Sequence, residues 1–322
     1  MPEYDSEVNE TGITTIGKPK RQGVDGTTYL EMWPMDDEHG TRYKVMSCYA
    51  NNPATGMWVV KDTAWSMQPE GVNEDVATKL MSLGFNVLIK GPEIGSSIPQ
   101  SQSAYNTHKI LDAKHRRGDL DASFIANEGY SRGATIGFGT NAYAEQFGRK
   151  VVYSNLTDPC VAVPIGRNIE TVQKALTLPV DVALLGIAVA KGLVNPKRTG
   201  VFLNTVDLSL AGAKQFVRTG KPLMNGEAGK LAASTPMDMQ ATIAFFRHCR
   251  VNDEKVFRAI LADRPGVRFV RPEGGHGGAL DSRVIGNIAV RFGRVGQQLA
   301  EGRRPDELDY RFITYGLKAA AA

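Results

Sequence analysis

The sequence predicts an α/β protein: a mostly parallel sheet flanked by helices, with a helical insertion late in the chain. Three observations predict it. Strand-like runs and helices of about 10–15 residues alternate from residue 74 onward, the rhythm of parallel strands joined by right-handed crossovers. The pentapeptide Gly129-Tyr130-Ser131-Arg132-Gly133 falls between a predicted strand and a predicted helix. The alternation breaks between residues 161 and 241 and then resumes.

Residues 1–26 are polar and contain glycine, and read as a loosely held tail. Thr28–Trp33 alternates and Tyr43–Tyr49 is rich in strand formers, with Asp36–Gly40 as the turn between them. Ala50–Gly56 reads as a loop. Val76, Leu80 and Leu83 place a helix over 74–83, which Gly84 ends. Phe85–Ile89 is a buried type of strand. A helix follows over 103–115, with His108 and His115 beside Lys109, Lys114, Arg116 and Arg117 as a solvated face. Ala122–Ala126 is a strand, 131–147 a helix with a small apolar surface, and Val151–Ser154 a strand. After the insertion come a strand over 241–246, a helix over 254–261 and a strand over 266–270. A long amphipathic helix closes the series over 280–301, its core stripe being Ile285, Ile288, Phe292 and Val295. The expected organisation is a tail (1–26), a core (27–160 and 242–322) and a helical cap (161–241).

Composition narrows the function classes. Of 322 residues, 42% are hydrophobic and 22% charged, an ordinary globular balance. A formal charge of +4 gives no field suited to capturing nucleic acid. The longest apolar run, 182–190, is far short of the ~20 residues of a spanning helix, and the acidic N-terminus does not resemble a secretory signal. Cys48, Cys160 and Cys249 are odd in number and widely spaced, which suggests a reducing compartment. The expectation is a cytoplasmic protein without a membrane span, metal or other cofactor, acting on a small molecule and possibly forming a homo-oligomer.

Chemistry concentrates on Ser131. A serine on a tight strand-to-helix turn needs small residues two positions away on each side, and the helix beneath offers N–H donors to developing negative charge. A serine hydroxyl needs a base to become a nucleophile. His276 is the candidate, in the loop Gly274-Gly-His-Gly-Gly278 directly after the strand ending at Val270. His248 reads as a buried histidine and His39 as part of a turn. Asp253, one helix and one strand before His276, is the candidate that orients the imidazole. Glu254 and Asp158 stand as alternatives. One oxyanion donor is the backbone N–H of Arg132. The second is assigned to Ala50 or Asn51, in the loop after the strand ending near Tyr49. Tyr130 and Arg132 are candidate substrate contacts. The Arg132 side chain reads either as a salt bridge at the helix start or as a ligand for an anionic group.

Taken in order, Gly129–Gly133, Asp253 and His276 resemble the α/β-hydrolase superfamily in its serine-hydrolase form with a helical cap. Phe85–Ser97 resembles the strand and loop before that family's second core helix. The resemblance covers roughly residues 28–298. It implies an eight-stranded, mostly parallel sheet, no cofactor, and cleavage of an ester or related acyl bond through an acyl-enzyme. The family's His-Gly pair is replaced here by Tyr49-Ala50-Asn51-Asn52. Acyl transfer or thioester cleavage by the same triad, and a non-catalytic binding module, are the competing functions.

Overall fold

In the computed structural model the described residues are 14–15, 20–21, 27–34, 42–51, 56–64, 69, 72–92, 98–116, 121–159, 227–247, 254–273 and 282–311. Ten strands are found among them: β1 (Thr14–Thr15), β2 (Lys20–Arg21), β3 (Thr27–Pro34), β4 (Arg42–Cys48), β5 (Trp58–Asp62), β6 (Asn86–Pro92), β7 (Phe124–Tyr130), β8 (Lys150–Thr157), β9 (Ala241–Ala244) and β10 (Val267–Val270). They form one sheet. Its eight main strands run in the order β3-β4-β6-β5-β7-β8-β9-β10, while β1 and β2 pair as short antiparallel patches on β3. β4 is antiparallel to both of its neighbours. From β6 to β10 every pairing is parallel. The polar tail expected over 1–26 thus contributes two strands.

Helices cover both faces. These are α1 (Val72–Met81), α2 (Gln100–Arg116), α3 (Arg132–Tyr143), α4 (Glu227–Ala233), α5 (Glu254–Ile260) and α6 (Ser282–Ala300). Side chains alternate along each strand, so Val59, Val87 and Ile89 join one core while Val60 and Leu88 join the other. The first core receives Val76 and Leu80 of α1 and the whole stripe Ile285, Ile288, Phe292 and Val295 of α6. The second receives Ile110, Leu111 and Ala113 of α2. A third cluster joins Ala134 and Phe138 of α3 to Leu231 of α4 and Phe257 of α5. Helix α4 lies within the stretch expected as a cap, yet it packs with α3 and α5 against the sheet. Residues 160–226, the bulk of that stretch, lie outside the described residues. At the C-terminal side Leu308 and Tyr310 pack on the first core, and burial pushes the Tyr310 phenol up to about 12.

One strand went unread. Trp58–Asp62 is fully buried, and its last two residues, Lys61 and Asp62, are charged. Lys61 pairs with Glu128 of β7 and Asp62 with Lys90 of β6, at 2.9 Å for the latter. Cross-strand partners neutralise charges that, in sequence, look like a loop.

The face of α2 is also corrected. His108 and Lys114 are buried, not solvated. Lys114 pairs with Glu31 of β3 at 3.3 Å. The His108 ring stacks on Phe147 and its Nε2–H donates to the Thr140 carbonyl at 2.9 Å. Burial lowers the His108 pKa to about 4. The unfolded chain therefore binds a proton near pH 6.5 that the folded chain refuses until about pH 4. Stability present at neutral pH is lost as pH falls through that window, by about 3 kcal/mol in all. Denaturant unfolding of wild type and His108→Leu at pH 7 and 4.5 should show the acid loss shrinking in the variant. Equal losses would assign the sensitivity to other groups.

Candidate active site

The sheet's carboxyl edge is where parallel strands release their loops, and β7 ends there at Tyr130. Ser131 follows with φ 57° and ψ −122°. This is the first central position of a type II′ turn, normally taken by glycine. The chain turns at once into α3. The Ser131 N–H donates to the Thr157 carbonyl of β8 at 2.9 Å, fixing the turn to the neighbouring strand.

Both flanking glycines are required. A Cβ on Gly129 would come 2.5 Å from the Gly133 carbonyl oxygen. A Cβ on Gly133 would overlap the Asp62 carbonyl group, with its carbon at 2.8 Å. Strand β7, the start of α3 and the end of β5 therefore meet without room for a methyl group.

The Arg132 N–H, at the first position of α3, has no carbonyl one turn back to receive it, as in any helix start. It lies beside Ser131 as an N–H of the helix start. Ala50 and Asn51 are not near it. Because β4 runs against β6, Cys48 pairs with Val87 at the amino end of β6, and the Ala50 N–H donates to Asn86 Oδ1 at 3.0 Å. Both residues lie on the edge of the sheet opposite Ser131. The error follows from the unread strand β5. The loop that does adjoin the elbow begins at Thr63, after Asp62, whose register partner is Gly129. The Thr63 N–H is already given to the Lys90 carbonyl at 2.9 Å, and Ala64 follows it.

The acid candidates separate. Asp253 and His276 lie outside the described residues, as do His39 and His248. Glu254 is engaged by Arg258 and Arg271 at 2.6 and 2.7 Å. Burial raises its pKa, but the two arginines outweigh this and hold the carboxyl below its ordinary range. Asp158 directly follows β8, as Ser131 follows β7. The two strand ends are in register, with Tyr130 opposite Thr157. Asp158 is fully buried, has φ 53°, and its N–H reaches the Ala244 carbonyl. Two adjacent strands thus end in strained, non-glycine residues at one edge.

Tyr130 and Arg132 are both buried. Arg132 Nη2 donates weakly to the Ile98 carbonyl at 3.4 Å, and Nη1 has no acceptor among the described residues. Desolvation lowers the guanidinium pKa, against the fields of Tyr43, Asp62 and Glu227. The salt bridge considered for Arg132 is not formed among the described residues.

No metal-holding group of His, Cys, Asp or Glu occurs among the described residues, and no described helix is long and apolar enough to cross a membrane.

No protein-family model and no curated protein matches the sequence. Solved structures do match in shape. A brefeldin A esterase, described as a bacterial homologue of human hormone sensitive lipase, aligns with a TM-score of 0.55 at 13% identity over 89% of this chain and 81% of that one. A hydrolase from Pseudomonas aeruginosa PA01 gives 0.56 at 14% identity over 81% and 96%. A thioesterase domain from the curacin biosynthetic pathway gives 0.51 at 12% identity over 82% and 99%. With eight main strands in a mostly parallel sheet, a serine on a strained turn at its carboxyl edge, and these likenesses, the chain has the α/β-hydrolase fold.

Proposed function

We propose that the protein is a serine hydrolase that cleaves a carboxylic ester, or a related acyl bond, through an acyl-enzyme on Ser131. The observation that carries this reading is the backbone of Ser131. A type II′ conformation at a non-glycine residue costs about 1–3 kcal/mol, and such strain gathers where chemistry needs a side chain held out. The fold's likeness to esterases and a thioesterase supports the same reading.

In this mechanism His276 accepts the Ser131 proton as Oγ attacks the acyl carbon. The tetrahedral oxyanion is held by the Arg132 N–H and by an N–H of the loop beginning at Thr63, such as that of Ala64. His276 then protonates the departing alcohol and activates a water that releases the acid. Asp253 orients the imidazole. A second reading of the acid is favoured by the placement of Asp158 one strand from the nucleophile, buried and with positive φ. Asp253→Asn and Asp158→Asn separate the two. The true partner, once neutralised, should cost kcat about 10⁴-fold and the other far less.

The test of the whole reading is covalent. A fluorophosphonate should label the wild-type chain at Ser131, and p-nitrophenyl esters should be turned over. A folded protein that does neither would refute it. Adding alcohol or amine acceptors and analysing products distinguishes hydrolysis from acyl transfer.

A further inference from the structure

We propose that the side chains of Lys90, paired with Asp62, and Arg132, whose guanidinium reaches the segment before α2, act as positioning residues that hold the start of the oxyanion loop and the nucleophile elbow in place. The proposal rests on the serine-hydrolase reading and adds side chains to a site otherwise made of backbone donors.

The geometry centres on Asp62. Its backbone touches the first turn of α3 so closely that Gly133 tolerates no side chain. Any shift of Asp62 therefore moves the loop that starts at Thr63 relative to Ser131. Lys90 holds that point twice. Its Nζ lies 2.9 Å from Asp62 Oδ1, and its carbonyl accepts the Thr63 N–H at 2.9 Å. The same ammonium donates to the carbonyl and hydroxyl of Ser103 in the first turn of α2, at 2.7 and 2.9 Å, and sits 4.5 Å from the Tyr43 ring centroid. Lys90 thus joins β5, α2 and β4 through its buried ammonium, and the oxyanion loop through its carbonyl.

Arg132 ties in the nucleophile's side. It is the first residue of α3, and its guanidinium extends to the Ile98 carbonyl just before α2. The carboxylates within its field are Asp62 and Glu227, and Glu227 is engaged by the amide and hydroxyl of Ser101, both at 3.0 Å. Glu227 keeps its charge through those hydrogen bonds, so the cluster holds two cations and two carboxylates, with Lys90 in direct contact with Asp62. Burial lowers the Lys90 pKa to about 8, a sign of how little this cluster solvates charge.

Stability does not require such an arrangement, because replacing buried ions by apolar residues of similar volume is often neutral or better. Catalysis gains from it because a fixed loop keeps its N–H aimed at the oxyanion.

The test uses the full chain, a p-nitrophenyl ester, and a trifluoromethyl ketone as the transition-state probe. In Arg132→Met and Lys90→Met, kcat should fall about tenfold or more with KM changed less than about threefold, and ketone affinity should fall by the same factor as kcat. Removing one partner leaves a buried carboxylate less compensated, so melting temperatures should fall, and kcat and KM are read on folded protein below them. Arg132→Lys, which keeps the charge but not the fork, should fall between wild type and Arg132→Met. If a Met variant does not fold, Arg132→Lys decides. Wild-type kcat and ketone affinity in a folded variant would overturn the proposal, as would a rise in KM at constant kcat, which would make Arg132 a substrate contact. A wild-type protein that neither hydrolyses the ester nor takes a fluorophosphonate would instead bring down the hydrolase reading beneath it.

Discussion

Ser131→Ala lowers ester kcat by about 10⁴-fold or more while changing stability by less than about 1 kcal/mol. The rate loss follows from removing the atom that forms the acyl-enzyme; what remains is binding and the oxyanion donors. The small stability change follows from geometry: alanine keeps the same unfavourable φ of 57° and ψ of −122°. Ser131→Gly is the informative companion. It is equally inactive, but glycine occupies this region without a Cβ clash, so it should be about 1 kcal/mol more stable than Ser131→Ala. Ester assays and thermal melts on the three proteins check both halves. Turnover above one tenth of wild type in the alanine variant would remove Ser131 from the chemistry. A glycine variant no more stable than the alanine one would mean that the turn carries no strain.

Gly133→Ala is expected to be the most damaging conservative change in the core, costing about 3 kcal/mol or more and abolishing turnover. Its methyl would meet the Asp62 carbonyl, which is backbone of a central strand and cannot swing aside. The control is Gly286→Ala in α6, where nothing lies within 4 Å of the added Cβ. That change should stabilise by about 0.5–1 kcal/mol, because alanine loses less backbone entropy in a helix. Urea denaturation of the pair gives the contrast directly. A Gly133→Ala protein as stable and active as wild type would mean that β5 and α3 are not in close contact.

How much of this was legible depends on how local the signals are. Helix α6 was readable in full, since Ile285, Ile288, Phe292 and Val295 declare one face by spacing alone and all four are buried. The elbow was readable because two glycines and a serine mark a steric problem confined to five residues. Strand β5 was hidden because Lys61 and Asp62 are compensated by Glu128 and Lys90, residues distant in the chain and adjacent only in the sheet. Its omission carried the oxyanion assignment to Ala50 and Asn51, at the wrong edge. The polar face of α2 misled in the same way, for Lys114 is matched by Glu31 in a strand far upstream. Asp158 was underrated because its positive φ and its place beside Ser131 are properties of the sheet, invisible in a string of letters.

The small patches Thr14–Thr15 and Lys20–Arg21 have a practical consequence. They occupy the outer rim of β3, pairing with Glu31 and Met32 and with Thr27 and Thr28. A recombinant version trimmed to start at residue 27, a natural choice for anyone discarding a polar leader, would leave that rim's amides and carbonyls unsatisfied. An open strand rim invites a second molecule to add on, so the shortened protein would tend to self-associate.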